Sequence, residues 1–206
     1  MANQQPIATR QELLKLKNKT KNTQRGRSLL KDKRDSLMKQ FFETMKTAME
    51  LRQRFEDRYG TAFGEFQQAS AQMDSEYLQS LIETVTVQLH LSATTKSVMS
   101  VKIPELSSKV EGSPTEYSVS QTNALLDSSL QSLREMIPDI LALIQAEYTA
   151  LLLAREIEKT RRRVNSLDYV VIPELQQHTK AVRSKLEEQA RDATIALMKV
   201  KAKIAD

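Results

Sequence analysis

The chain has 206 residues, with no Cys or Trp, only 4 Gly and 5 Pro, 40% apolar and 28% charged residues, and a formal net charge of +5. A cysteine nucleophile, a disulfide framework and a thiolate metal site are excluded. The scarcity of turn formers, with aromatics at 5%, favours long, partly exposed helices over a many-stranded β fold. The charge is also uneven: residues 1–40 hold eleven cations against three anions, a net of +8, so the remainder sums to −3. Such a concentrated positive field fits an acidic partner: nucleic acid, anionic lipid or an acidic protein surface.

The first segment runs from about Thr9 to Tyr59 without Pro and with one Gly, Gly26. Thr9 and Glu12 form a capping-box pattern. Leu13, Leu16, Leu30, Leu37, Phe41, Met45, Met49 and Phe55 then recur at helical spacing, broken by Asn18, Thr20, Asn22 and Thr23. About fifty helical residues span roughly 75 Å, so this helix must project or pair with another long helix. Gly26 is read as a point where a neighbouring helix comes close. Gly60 and Gly64 weaken the segment, and Glu65 to Ile82 resumes it. The opening residues lack an apolar signal-peptide core. Apolar runs such as Ala150 to Ala154 and Tyr169 to Ile172 fall far short of the ~20 residues that cross a bilayer, so no membrane insertion is expected.

From Leu81 the period changes to two. Val85, Val87, Leu89 and Leu91 alternate with Thr84, Thr86, Gln88 and His90, predicting a strand. Ser97 to Ile103 is a second strand candidate across a polar loop, Ser92 to Lys96. Pro104, Gly112 and Pro114 mark irregular chain to about Tyr117. A second helical arm begins near Ser120, with breaks or kinks expected near Ile137 and Ile172, because Pro138 and Pro173 each remove a helix hydrogen bond. Val164, Leu167, Val171, Leu175, His178, Val182, Leu186, Gln189, Ala193, Leu197, Val200 and Ile204 then step by three or four, a sustained coiled-coil seam. The fold expected is mainly α: a long antiparallel two-helix coiled coil of the N- and C-terminal arms, with a small middle region holding a short β-hairpin.

Catalytic constellations are missing. His90 and His178 have no companions at metal-ligand spacing and read as a surface and a seam residue. No phosphate-cradling glycine loop and no nucleophile elbow occurs. Arg161-Arg162-Arg163 fan about 100° apart on a helix and form either a solvated face or a dock for an acidic protein. The basic N-terminal arm has no aromatic before Phe41, so nucleic-acid binding through it would be nonspecific. Its narrow, interrupted apolar face also argues against an interfacial membrane helix.

Three blocks carry a family resemblance: ATRQELLKLKNK with RGRSLLKDKRDSLM, EKTRRRVNSLDYVVIPEL (Glu158 to Leu175) and KLEEQARDATIALMKVKAKI (Lys185 to Ile204). Together they resemble the D subunits of the V-type and archaeal A-type rotary ATPases and ATP synthases. The resemblance implies a non-catalytic central shaft without cofactor or metal. Its arms, residues 1–64 and 136–206, would stand inside the hexamer of A and B subunits. Its foot, residues 65–135 with a hairpin at about 84–103, would meet the small F subunit and the funnel-shaped subunit above the membrane ring. It further implies one copy per complex, on the cytoplasmic side of a membrane, peripheral to it, with H⁺ or Na⁺ moved elsewhere. With the family geometry that the resemblance implies, charge and position in the arms single out Lys15, Lys19, Arg25, Arg27, Arg161, Arg162, Arg163, Lys199 and Lys201 as expected hexamer contacts. Val85, Val87, Leu89, Val98 and Val101 are the contacts expected for the foot and the F subunit. Off-axis shape is expected at Pro173. The competing reading of the same charge and seam is a nonspecific nucleic-acid-binding or scaffold coiled coil.

Overall fold

The computed structural model describes residues 8–84, 87–112 and 123–205. In chain order these form α1 (Arg10–Ser70), α2 (Ser75–Thr84), β1 (Gln88–Val98), β2 (Val101–Glu111), α3 (Ala124–Ser166), a π-helical turn (Leu167–Val171) and α4 (Ile172–Ala205). The long N- and C-terminal helices and the central antiparallel hairpin are the architecture expected from the two periodicities. The chain divides into two compact units, residues 1–36 with 157–206, and residues 37–156.

In the first unit α1 starts where the capping box places it: the Glu12 amide donates to Thr9 Oγ1 at 3.2 Å. Leu16, Leu175 and Val182 form the buried seam, with Leu13, Val171 and Leu186 packed around them. Residues rise along α1 as they fall along α4, so the pair is antiparallel. Beyond Leu186 the seam departs from expectation. Gln189, Ala193, Leu197, Val200 and Ile204 are all exposed, because pairing with α1 ends at Leu13, near its first turn. Gly26 also differs: a Cβ there would meet nothing within 4 Å, so no helix approaches it closely.

Pro173 does not break the C-terminal arm. The π turn precedes it, with the Ile172 amide donating to the Leu167 carbonyl five residues back. A π turn takes in one extra residue, and the burial pattern records it. Val164 and Ile172 are buried eight residues apart, whereas Leu175 and Val182 keep the heptad step of seven. Ile172, not Val171, is therefore the buried residue at that level of the seam.

In the second unit α1 and α3 are again antiparallel. Arg52 pairs with Glu147 at 2.5 Å, and Arg58 pairs with Asp139 at 2.6 Å. Nearer the end of α1, Ser128 Oγ donates to Glu65 at 2.9 Å. Ala69, Leu81 and Leu126 form the buried centre at this end. Helix α1 runs through Gly60 and Gly64 to Ser70, past the expected end at Tyr59. The glycine cost of about 1 kcal/mol each is opposed by stacking of Phe55 on Tyr59 (5.6 Å) and Tyr59 on Phe63 (5.5 Å). Ala48, not Met49, is buried, because the helical stripe has drifted by one position after Leu37. Pro138 lies inside an unbroken α3. It is exposed, so the carbonyl it deprives of a donor can be solvated.

The hairpin is displaced from its expected place. Ser92 to Lys96, expected as a loop, lies within β1, and the register runs from Gln88 opposite Glu111 to Val98 opposite Val101. The connection is the two-residue turn Met99-Ser100, both with positive φ (51° and 71°), as a type I′ hairpin turn requires. Neither residue is a usual turn former, so the pattern gave no cue. Pro104, expected in irregular chain, sits in β2 opposite Thr95. A two-stranded sheet has only edges, where the missing N–H is tolerated. Gly112, with φ of 90°, ends the strand. Val85 of the first strand, and Pro114 and Tyr117 beyond the second, lie outside the described residues, as does Ser120.

Candidate partner-binding surfaces

The surface of the first unit follows from its interrupted stripe. Where Asn18 to Thr23 replace apolar residues, α1 presents Lys17, Thr20, Lys21 and Gln24 across a groove of about 360 Å³ from Gln176, Thr179, Lys180 and Arg183. The Thr20 and Thr179 hydroxyls donate to the Leu16 and Leu175 carbonyls at 2.8 and 2.7 Å. The polar level is therefore satisfied locally and leaves the cations facing solvent.

Of the nine cations singled out by sequence, eight are exposed: Lys15, Lys19, Arg25, Arg161, Arg162, Arg163, Lys199 and Lys201. Lys15 lies 3.8 Å from Glu12, and Arg162 lies 2.9 Å from Glu158. Arg27 behaves differently. It is half-buried and ion-paired with Asp168 in the π turn, and Lys31, one helical turn on, reaches the same carboxylate at 3.7 Å. Asp168 was not a sequence candidate. Its only sequence signal was an acid standing among the seam positions Val164, Leu167 and Val171.

The terminal part of α4 is the second feature. From Glu187 onward every described side chain is exposed, including Ile195, Leu197, Met198, Val200 and Ile204 at 51–80%. An exposed row of large apolar side chains on a helix is the signature of a surface that a partner covers.

In the second unit the hairpin residues divide. Leu89 is exposed, Val87 and Val98 are half-buried, and Val101 is buried with Ile103 against the unit. β1 is otherwise exposed along its length. The Leu106 amide donates to Gln145 Oε1 at 3.2 Å, tying the outer edge of β2 to α3. The sequence reading missed an exposed apolar face on the helices, made by Phe42 and Met49 of α1 and Ile144, Tyr148 and Leu151 of α3. By length and composition alone, the helical stretch Ala124–Lys201 is apolar enough to cross a membrane. The Arg52–Glu147 and Arg58–Asp139 pairs nevertheless bind α3 to α1 along this stretch. Buried Met136, Ala150 and Leu153 give it the character of a seam helix.

Among the described residues no group of three or more His, Asp or Glu could hold a metal ion. His90 Nε2 lies 3.8 Å from Glu111, and His178 is a half-buried seam residue. Paired helices with exposed cations and uncovered apolar side chains define a helical protein whose accessible features are surfaces for partners rather than a pocket.

The sequence profile of the D-subunit family of ATP synthases matches residues 12–202. The D subunit of a V-type ATP synthase from Clostridium botulinum is 41% identical over 201 residues, covering 95% of this chain and 94% of that one. The V-type D subunits of Acetivibrio thermocellus (41%, covering 94% and 89%) and Fusobacterium nucleatum (39%, covering 94% and 93%) are similar over the same extent. The chain belongs to the ATP synthase D-subunit family, whose relatives named here are components of V-type ATP synthases.

Proposed function

We propose that the chain is the non-catalytic central rotor shaft of a V/A-type ATPase or ATP synthase. It would couple ATP hydrolysis or synthesis in the A/B hexamer to rotation of the membrane ring and transport of H⁺ or Na⁺. The observation that carries this reading is the first unit: a paired helical arm bearing exposed cations, prolonged by an apolar stretch of α4 that the described chain leaves uncovered. The foot, residues 65–135, with its hairpin would meet the F subunit and the funnel-shaped subunit. The whole would sit once per complex, peripheral to the membrane on its cytoplasmic side.

The mechanism follows from contact energetics. An asymmetric shaft touches each of three A/B pairs differently, and so biases their conformations. By linkage the coupling is reciprocal: nucleotide binding and hydrolysis exert torque on the shaft, and ion-driven torque favours ATP release. Exposed ion pairs contribute only about 0–1 kcal/mol each, so contacts through Lys15, Lys19, Arg25, Arg161, Arg163, Lys199 and Lys201 exchange as the shaft turns. A broad apolar contact would hold one angle.

Native mass spectrometry of the chain mixed with A, B and F subunits, alongside ATPase turnover, tests the proposal. One copy per hexamer together with F, and altered turnover, is expected. Dimers of the chain, or DNA coating without association, would sink it.

A further inference from the structure

We infer that Asp168 is a positioning residue, which with Arg27 and Lys31 holds the π turn so that Tyr169 and Val170 form a protruding contact knob against the subunits around the shaft. The inference rests on the shaft reading for its partner, but not for the clamp itself.

The backbone supplies the need for a clamp. Pro173 has no N–H, so the Tyr169 carbonyl receives no bond from four residues on. The Ile172 amide is diverted to Leu167. The turn thus lacks regular helical restraint where the extra residue is taken in. The side chains supply what the backbone lacks. The Asp168 carboxylate is only 19% exposed and is bracketed by Arg27 and Lys31, four positions apart on one face of α1. Arg27 Nε is shut off from solvent and faces that carboxylate. Loss of the carboxylate would leave a buried charged donor without its acceptor. A regular α-helix through this segment would place the residues after it about 100° away and turn Ile172 off the seam.

The consequence lies on the opposite side of the turn. Tyr169 is 80% exposed and Val170 58%, beside one another and about two turns beyond the exposed Arg161 and Arg163. Tyr and Arg supply a large share of interface binding energy, Tyr through an apolar ring with a polar tip. Such a knob adds to the asymmetry of the arm about its axis, which a shaft that distinguishes three surrounding A/B pairs needs. The partner chemistry it fits is a shallow apolar recess rimmed by carboxylates on those subunits.

Two measurements test this. In the isolated chain, Asp168→Asn and Arg27→Gln should each speed amide hydrogen exchange at residues 167–172 about tenfold, with the double variant no faster than either single one. Exchange around Leu126 should stay unchanged. In the reconstituted complex, Tyr169→Ala should weaken binding to the hexamer and, once bound, lower ATP-driven ion transport per ATP several-fold. Tyr169→Phe should restore it, and Asp168→Asn should reproduce the Tyr169→Ala defect. Unchanged exchange in Asp168→Asn would overturn the clamp. Normal coupling in Tyr169→Ala, with one copy bound per hexamer, would overturn the knob and leave the shaft reading standing. Failure of the unaltered chain to join the hexamer would overturn the shaft reading and the knob together, while the exchange result would still decide the clamp.

Discussion

Leu175 and Leu197 lie in one sequence seam, yet the structure gives them opposite environments. Leu175 is 6% exposed and packed with Leu16 and Val182, whereas Leu197 is 70% exposed. Truncating a buried Leu to Ala removes its transfer energy and leaves a cavity, about 2–5 kcal/mol in total. Leu175 sits in a small two-helix seam that can partly collapse, so about 3 kcal/mol is expected. At about 2–4 °C per kcal/mol for a chain of this size, Leu175→Ala should lower the melting temperature by roughly 6–12 °C. Leu197→Ala should stay within about 0.5 kcal/mol of the unaltered chain. Urea unfolding followed by helical circular dichroism reads both. Binding to the A/B hexamer should reverse the order for the surface effect, with Leu197→Ala weakening association although the isolated chain is unharmed. If Leu197→Ala destabilised the isolated chain as much as Leu175→Ala, the end of α4 would be packed in the chain by itself, and the reasoning from its exposure would be wrong.

Three other predictions use the same structure. Gly26→Ala places a methyl group in open space within α1 and should stabilise the chain by about 0.5–1 kcal/mol. Loss of hexamer binding by this stable variant would show that a partner needs that space. Met99→Asn combined with Ser100→Gly suits the two positive-φ positions and should slow amide exchange across β1 and β2, whereas faster exchange would contradict the assigned turn. The Arg52 guanidinium is held above its ordinary range by its hydrogen bond to Glu147, then by the carboxylate's charge. A raised cation stabilises the fold below its unfolded pKa and loses that contribution only as pH climbs through the folded value. Glu147→Gln should therefore leave the stability profile between pH 6 and 9 parallel to that of the unaltered chain, and a divergence in that window by urea titration would refute the assignment.

What could be read from sequence depended on how local its cause is. Helical period, the Thr9–Glu12 cap, the change to strand period near Leu89 and the family blocks around Arg25 and Arg161 are properties of residues within a few positions of one another. They determined two long arms, a central hairpin and the family. Other outcomes needed the partner helix or strand. The Met99-Ser100 turn follows from where β1 and β2 pair, not from turn formers. Pro173 was legible as a disturbance, but its resolution as a π turn depends on Ile172 reaching the seam and on Asp168 reaching Arg27 and Lys31. A heptad pattern states which face is apolar, and only the starting point of α1 decides where that face stops being covered. Val182 and Val200 therefore look alike in sequence while one is buried and the other exposed, because burial is a relation between two helices and periodicity is a property of one.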